Sequence, residues 1–363
     1  EAGCTPPANS IIGDYYPAKH RATALGIYSM GVTLGAVMAY LFAGPIADMK
    51  GEDFGAWLNI IGVGGLFSAL DWSQIEGWRI AFVVIGVPGV LIALILMMTV
   101  KEPPRGYSDP PGSEKLKKAS TQDTLKELTG KPTFWWAAMG AALVAFVGYG
   151  LFTFQTPFLV REHGLSVRDA SLYFGAPLAA IAALGTFLGG YITDRLAGRY
   201  PTAIALVPAA GLLISVPFYI SAFYASDLRL AFGLWAVAGL CHYAYLGGQY
   251  NIGQGVVSAR SRATAIAILL IIVSIIGNGI GPQFVGLMSD VFTNMQFADM
   301  EGLSRSVCLS GEVTPDQSAL CSQARSTGLK QAISLTILWF IIAAGCYIVA
   351  SRTLKADFVA KLD

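Results

Sequence analysis

The sequence predicts an all-α, polytopic membrane helix bundle, and three observations lead to that prediction. Hydrophobic residues make up 54% of the 363 residues and charged residues only 13%, whereas a soluble domain carries about 25% charge. The charges fall in short clusters between long apolar runs, as in segments that cross a bilayer. The tetrapeptide Arg-Ala-Thr-Ala at 21–24 also recurs at 262–265, which indicates two parallel repeats of membrane helices.

Each copy of the tetrapeptide opens a long apolar segment, and the two segments end alike. The first closes at 44–48 with Gly-Pro-Ile-Ala-Asp and the second at 286–290 with Gly-Leu-Met-Ser-Asp. Several apolar runs precede the second copy, but only part of one precedes the first. We therefore expect the first repeat to be incomplete in this chain.

Apolar runs of about 20 residues, the length that crosses hydrocarbon, recur along the sequence. A chain in lipid must satisfy its own backbone hydrogen bonds, so each run is predicted to be a helix. Glycines inside them, such as Gly277 and Gly281, are predicted to let helices approach closely. The predicted spans are an incomplete one at 1–15, then 23–47, 78–100, 134–160, 170–193, 202–224, 230–256, 263–289 and 332–351.

The stretch at 55–70 is apolar but shorter than a span. Counting it as a span would reverse the orientation of every later loop. We predict instead that 52–76 is an interfacial segment on the outer face, with Trp57 and Trp72 near the lipid headgroups.

Basic residues predict the orientation, because positive residues are retained in the cytoplasm. The predicted cytoplasmic side also includes the polar segment 101–131, which links the two repeats either as a solvated tether or as a lysine-rich surface helix touching anionic lipid. The other cytoplasmic basic residues are Lys19, Arg21, Arg195, Arg199, Arg260, Arg262, Arg352, Lys355 and Lys361.

Two further segments complete the predicted topology. The loop at 292–331 lies outside, where an oxidising compartment permits a disulfide between Cys308 and Cys321. Residues 354–363 form a cytoplasmic tail.

A loop at 189–199, Gly-Gly-Tyr-Ile-Thr-Asp-Arg-Leu-Ala-Gly-Arg, links two predicted spans on the cytoplasmic side. Gly190 is predicted to permit a close helix crossing, Asp194 to face a helix N-terminus, and Arg195 and Arg199 to pair with acids. This loop resembles the signature loop of the major facilitator superfamily. That signature has a glycine, an acidic residue four positions later, a basic residue, and then another glycine followed by further basic residues. In this chain the last glycine comes one residue later than in the signature. In that family the loop latches the two halves together, so the resemblance implies a cytoplasmic gate at Gly190, Asp194, Arg195 and Arg199.

Asp14 is added to this gate because it lies where a helix meets the cytoplasm. We expect it to be a solvated acid at a helix end, with an ion pair to a base of an absent loop as the alternative.

Other stretches resemble the spinster-like subgroup of that superfamily. The resemblance covers nearly all of the chain and implies a major facilitator fold lacking helices 1–3. Residues 1–100 would then be the remainder of an N-terminal six-helix bundle (helices 4–6), and 132–353 a C-terminal six-helix bundle (helices 7–12). The stretches that carry the subgroup resemblance are 1–10, 14–17, 21–24, 77–79, 157–166, 279–282 and 289–290.

The resemblance places Glu1 inside a span, where a carboxylate is a functional candidate by default. By resemblance it couples proton movement to substrate movement, whereas the alternative is a structural pair with a base on a missing helix. Two further groups of polar and aromatic residues are predicted to line a substrate cavity, although interhelical hydrogen bonding explains each member equally well. They are Tyr149, Phe152 and Gln155 at helical spacing, and Tyr243, Gln249, Tyr250, Asn251 and Gln254 near the end of a later span.

Enzyme signatures are missing from the sequence. It contains no Gly-rich phosphate cradle, no His-Glu-x-x-His pair and no serine nucleophile elbow. Its histidines at 20, 163 and 242 offer no ligand set, and we expect His242 to be a packing residue rather than a proton relay. We therefore expect no enzyme activity, no cofactor and no metal.

The function expected from the resemblance is secondary active transport of a small or amphiphilic organic solute by alternating access, coupled to protons. The alternative is a non-transporting membrane sensor or scaffold on the same fold. The expected partners are the lipid bilayer, protons and an organic or lipid-like solute. The net charge of +1 gives no indication of nucleic acid, and we expect a monomer in a bacterial inner membrane.

Overall fold

The computed structural model describes residues 5–43, 50–67, 71–101, 120–298, 307–308 and 314–359. Within these ranges the chain is almost entirely helical, and the only β pairing is a bridge between Lys50 and Glu76. In the part of the chain that the structure describes, eight helical stretches are long and apolar enough to cross a membrane, which confirms the predicted all-α membrane bundle. These stretches are 19–42, 82–99, 132–163, 170–197, 203–224, 228–255, 259–297 and 316–357.

The chain divides into two compact units. The larger comprises 1–32, 103–165 and 181–363, and the smaller comprises 33–102 and 166–180.

The larger unit contains most of the helices. It holds α1, the start of α2, the linker helix α5, α6, α7 from Ile181 onward, and the helices after α7. Their bounds are α1 Thr5–Tyr15, α2 Ala18–Met38, α5 Thr121–Thr129, α6 Pro132–His163, α7 Ala176–Ala197, α8 Ala203–Tyr224, α9 Leu228–His242, α10 Tyr245–Gly255, α11 Arg262–Val273, α12 Gly279–Ala298, α13 Pro315–Ile337 and α14 Trp339–Asp357.

Helix α6 is the most enclosed of the eight stretches, with 67% of its apolar window buried. It packs against α10, α11, α12, α13 and α14. Glycines make these contacts close: a Cβ on Gly281 would overlap the carbonyl oxygen of Phe146, and one on Gly277 would lie 2.5 Å from the Cβ of Ala145. These two glycines are packing positions, as the sequence predicts.

The smaller unit contains the end of α2 with its π-helical extension Ala39–Ala43, the short helix α3 Gly51–Ile60 and the 23-residue helix α4 Gly77–Thr99. A second π-helical segment, Ala170–Gly175, belongs to it as well. At 10 residues, α3 is about 15 Å long and cannot cross about 30 Å of hydrocarbon. The described part of the segment at 55–70 therefore contains no helix that could span the membrane, and its interfacial position stays a prediction.

The predicted bounds of the outer loop, 292–331, are wrong at both ends. Helix α12 continues to Ala298, and α13 begins at Pro315. The Thr314 hydroxyl accepts a hydrogen bond from the backbone of Gln317, whose side chain accepts one from the backbone of Thr314. This capping box starts a helix in polar sequence that carries no hydrophobic signal.

The structure contains the disulfide predicted between Cys308 and Cys321, with the two Cα atoms 5.8 Å apart. Arg325 on α13 donates a hydrogen bond to the carbonyl oxygen of Cys308 at 3.2 Å.

The linker between the repeats is a docked helix over 121–129. Thr124 and Leu128, one turn apart, are fully buried, and Trp135 on α6 donates its indole N–H to the Leu128 carbonyl oxygen at 3.0 Å. The prediction of a solvated tether is therefore wrong for this part. The lysine-rich run and the proline pairs of the linker lie outside the described residues.

Replacing Gly281 by alanine is expected to lower the midpoint of thermal unfolding in detergent, because the added Cβ collides with the backbone of α6. Gly233→Ala is the matched control: Gly233 is exposed on α9 and a Cβ there meets nothing within 4 Å. Since alanine is the better helix former, the control should unfold at the wild-type temperature or above it. Equal midpoints for the two variants would contradict the close crossing of α6 and α12.

Candidate functional site

A buried polar cluster joins the ends of several helices on the side predicted to face the cytoplasm. We call it the inner cluster and define it by what its members share, which is a hydrogen bond, an ion pair or a backbone contact across helices. Its members are Asn9, Gly13, Asp14, Arg21, Ala22, Thr23, Gly190, Asp194, Gly247, Gln254 and Arg262.

At its centre, Asp14 at the end of α1 pairs with Arg262 at the start of α11. The Arg262 Nη1 and Asp14 Oδ1 atoms are 3.2 Å apart, and the two side chains are only 4% and 1% exposed. The expectation that Asp14 is a solvated helix-end acid is therefore wrong. Its base comes from the second copy of the repeat, 248 residues further along the chain. Charges removed from water require such a partner, because an unpaired buried charge is strongly destabilising.

Two arginines converge on the carbonyl oxygen of Gly13. Arg21 donates to it from Nη2 at 3.1 Å and Arg262 from Nη1 at 3.2 Å. The last carbonyls of a helix carry partial negative charge and favour cations. Each of these arginines is the first residue of one copy of the tetrapeptide repeat. The repeat therefore pointed to two residues of the cluster, although their contact with Gly13 was not predicted.

Asp194 at the end of α7 binds the first turns of α2. Its carboxylate oxygens accept hydrogen bonds from the backbone N–H of Ala22 at 3.2 Å and of Thr23 at 2.6 Å. A carboxylate at the positive end of a helix is favourable. The geometry is the one that the sequence predicts for Asp194.

Three helices touch backbone to backbone beside this carboxylate. A Cβ on Gly190 would lie 2.6 Å from the carbonyl oxygen of Ala22, and one on Gly247 would lie 3.0 Å from the same atom. Gly190 therefore permits the predicted close helix crossing. Gly247 on α10 lies at the same crossing, and the sequence analysis did not predict it.

Among the described residues, the two arginines of the signature loop pair with no acid. Arg195 donates to the Tyr191 hydroxyl at 3.2 Å, and the Arg199 guanidinium lies 5.5 Å from the centre of the Tyr200 ring. Both arginines are exposed, and neither reaches a carboxylate of the described chain. The predicted acid pairing is wrong for these residues.

Gln254 belongs to the inner cluster rather than to an open cavity. It is fully buried, its amide nitrogen donates to the Asn9 carbonyl oxygen at 2.8 Å, and its side-chain oxygen occupies the space beside Gly13. It thus connects α10 to α1.

The other predicted cavity residues fall into two environments. Gln249, Tyr250 and Asn251 are buried on α10, and the side-chain oxygens of Gln249 and Asn251 have no hydrogen-bond partner among the described atoms. Tyr149 and Phe152 on α6 are 40% and 54% exposed. Gln155, one turn further along α6, is partly exposed.

A group of tyrosines links these environments. Tyr149, Tyr243, Tyr250 and Tyr347 all lie near Tyr245. The structure therefore brings together three of the predicted cavity residues. Tyr245 and Tyr347 were missed, although both are buried polar aromatics on predicted spans.

His242 is enclosed by aromatic rings. Its Nδ1 atom lies 3.1 Å from the Tyr219 hydroxyl, and its ring centre is 4.6 Å from that of Phe340. These contacts suit the packing role expected of it. Glu1, the predicted proton-coupling residue, lies outside the described residues.

Comparison with protein families and known proteins places these features in context. Residues 1–282 match the model of the Major Facilitator Superfamily. The chain is 27% identical over 294 residues to an MFS-type efflux pump of Mycolicibacterium smegmatis, covering 81% of this chain and 61% of that protein. It is 28% identical over 317 residues to protein spinster homolog 3 of Danio rerio (82% and 57%). To protein spinster homolog 1 of Homo sapiens it is 27% identical over 315 residues (80% and 53%).

Among solved structures, the chain is similar to a bacterial homolog of the human lysosomal transporter Spinster. The inward-facing, unoccupied conformation of that protein is 50% identical, with a TM-score of 0.71, covering 99% of this chain and 76% of that one. The inward-facing, occupied conformation is 49% identical, with a TM-score of 0.68. The chain spans 53% to 61% of the length of the curated relatives described above.

Breaking the buried ion pair is expected to destabilise the protein far more than breaking an exposed one. Arg262→Met leaves Asp14 buried without its cation, and such a loss costs about 3–5 kcal/mol. Arg79→Met is the matched control: it removes a pair with Glu76 in which both side chains are more than 60% exposed, and exposed pairs contribute about 0–1 kcal/mol. Chemical unfolding of both variants in detergent measures the difference, and similar losses would contradict the buried pairing.

Proposed function

The chain belongs to the major facilitator superfamily, in its spinster-like subgroup, and from this we propose that it acts as a secondary transporter for an amphiphilic organic solute, by alternating access coupled to protons. The single observation that carries the proposal is the inner cluster. It joins α1 and α2, the helices around the first copy of the repeat, to α7, α10 and α11 of the second.

The contacts of the inner cluster suit a closure that opens. They consist of one ion pair, hydrogen bonds from two arginines to the Gly13 carbonyl oxygen, hydrogen bonds from two backbone amides to the Asp194 carboxylate, and a hydrogen bond from the Gln254 side chain to the Asn9 carbonyl oxygen. Each can be exchanged for water when the inner end opens. A solute or an ion that binds the open and closed states with different affinity then shifts the equilibrium between them.

The interior on α6 and α10 suits an amphiphile. Tyr149 and Phe152 present aromatic surface, while Gln249 and Asn251 offer amide oxygens that the described residues leave without hydrogen bonds. A solute with an apolar body and hydrogen-bond donors would satisfy both. Proton coupling through Glu1 is part of the proposal, because a carboxylate at bilayer depth is costly and therefore functional by default.

The proposed organisation follows the family. Residues 1–100 and 132–353 contribute to two six-helix bundles, 101–131 links them on the cytoplasmic side, and 354–363 form a cytoplasmic tail. The chain is an integral membrane protein, and we place it as a monomer in a bacterial inner membrane.

Reconstitution of the full-length protein into liposomes tests the proposal. A fluorescent lysophospholipid outside the vesicles should accumulate inside only when a proton gradient is imposed, and a trapped pH dye should report proton movement in step with it. Loss of uptake when an ionophore collapses the gradient would support proton coupling. Binding of the probe without flux under any gradient would favour the sensor or scaffold.

A bulky residue at the close crossing should hold the inner end open. Gly190→Val is expected to abolish net uptake while leaving binding of the probe intact, because the side chain collides with the carbonyl of Ala22. Gly198→Val in the same loop is the matched control, since it is exposed and its Cβ approaches only the Asp194 carbonyl oxygen, at 4.0 Å. Uptake and binding are measured in the same vesicles, and normal uptake by Gly190→Val would contradict the gate.

A further inference from the structure

The linker helix α5 binds the connection between α10 and α11 through one carboxylate. Glu127 accepts a hydrogen bond from the backbone N–H of Ser258 at 2.6 Å. Its other oxygen accepts from the hydroxyls of Ser258 at 3.1 Å and Ser261 at 2.7 Å. Arg262, the partner of Asp14, follows Ser261 directly. A side chain of the linker therefore fixes the turn from which the ion-pair arginine extends.

A second acid of α5 faces the same connection. Asp123 lies one turn before Glu127 and so on the same face of the helix. Hydrogen bonds from Ser120 hold the pKa of the Asp123 carboxyl below its usual value, and the charges of Arg260 and Lys126 act in the same direction. Asp123 is therefore an anion at neutral pH within electrostatic range of Arg260, next to the turn that Glu127 holds.

Helix α5 is itself held in place. Ser120 and Asp123 form a capping box at its start, Leu128 is fully buried, and Lys131 just beyond its end donates to the Asp357 carbonyl oxygen on α14 at 2.7 Å. The carboxylate of Glu127 thus projects from an element anchored to α6 and α14.

The chain after α14 holds the other end of the same connection. Val359 donates its backbone N–H to the Gly255 carbonyl oxygen at 2.9 Å. The Phe358 ring covers Gly255 so closely that a Cβ there would overlap it. The connection from Gly255 to Arg262 is therefore held at both ends by segments outside the two repeats.

We propose that Glu127 is a positioning residue for the inner cluster. By binding Ser258 and Ser261, Glu127 keeps Arg262 where the arginine guanidinium reaches Asp14 and Gly13. The linker helix therefore sets the equilibrium between the closed and open states of the inner end. The inference rests on the proposed alternating access. Without the carboxylate, three donors lose a charged acceptor and the turn before Arg262 gains freedom. Arginine loses side-chain entropy in forming a fixed pair, so a looser backbone weakens that pair.

Distance measurements on the full-length protein test this inference. Spin labels are attached to cysteines that replace the exposed Lys19 and Lys355, in a background with alanine at Cys4, Cys241 and Cys346. Double electron–electron resonance in lipid nanodiscs then gives the ratio of long to short distances between the two labels, which is the open-to-closed ratio. Glu127→Ala should raise the open-to-closed ratio by about threefold to tenfold, the range expected when charge-assisted hydrogen bonds are lost. Glu127→Gln, which retains an acceptor oxygen, should give a smaller rise. Gln122→Ala, exposed on the same helix, should leave the ratio unchanged.

A second arm separates positioning from general stability. In an Arg262→Gln background, where the ion pair is already broken, Glu127→Ala should leave the open-to-closed ratio the same as in Arg262→Gln alone. If Glu127→Ala folds poorly, the Ser258→Ala, Ser261→Ala double variant removes the same hydroxyl donors from the other side and should raise the ratio.

The outcomes are distinct. A lower unfolding temperature of Glu127→Ala with an unchanged distance ratio would overturn the inference and leave a purely structural role. An additive effect in the Arg262→Gln background would also overturn it. A single distance distribution in the wild type under every gradient and ligand condition would overturn the proposed function instead.

Discussion

The structure depends on the rule that a charge taken out of water must be paired. Asp14 and Arg262 are almost completely buried, and they form an ion pair at 3.2 Å. Apolar side chains of the same size would often hold two helices together at least as firmly. An ionic contact has a different property, because both partners are well hydrated once they separate. A closure built from one ion pair and a few charged hydrogen bonds therefore suits an interface that opens, whereas an apolar one would tend to stay shut.

The internal repeat explains how this contact arises and why it is asymmetric. Arg21 and Arg262 open equivalent helices, and both reach the carbonyl oxygen of Gly13. Asp14 precedes Arg21 in the first repeat, but its equivalent in the second is Gly255. There the aromatic ring of Phe358 takes the space that a side chain would fill. The first repeat thus supplies the acid of the ion pair. The second supplies the base, together with a glycine against which the chain after α14 packs.

Local signals in the sequence were enough for the spans, the repeat, the close crossing at Gly190, the capping role of Asp194 and the disulfide. Each depends on residues near one another in sequence or on a pattern of known geometry. The partner of Asp14 could not be found that way, because it is 248 residues distant and many other arginines and lysines, beginning with Lys19 and Arg21, lie nearer in sequence. Gln254 looked like a cavity residue for the same reason, since only packing shows that it touches α1. Two misses had legible signals: the capping boxes at Thr314 and Ser120 mark helix starts that the polar composition of both segments obscured.

The claim that the inner cluster is a reversible closure is tested most directly by the chemical accessibility of a residue behind it. Ser10 on α1 is only 1% exposed, and a Ser10→Cys variant of the full-length protein changes one atom. The rate of its reaction with a membrane-impermeant maleimide would be measured from the inner side of oriented vesicles, with and without an imposed proton gradient and the lysophospholipid probe. The account predicts slow labelling in one condition and labelling at least about tenfold faster in another, as the cluster opens. One rate under all conditions, whether fast or slow, would show that this cluster is a fixed part of the fold.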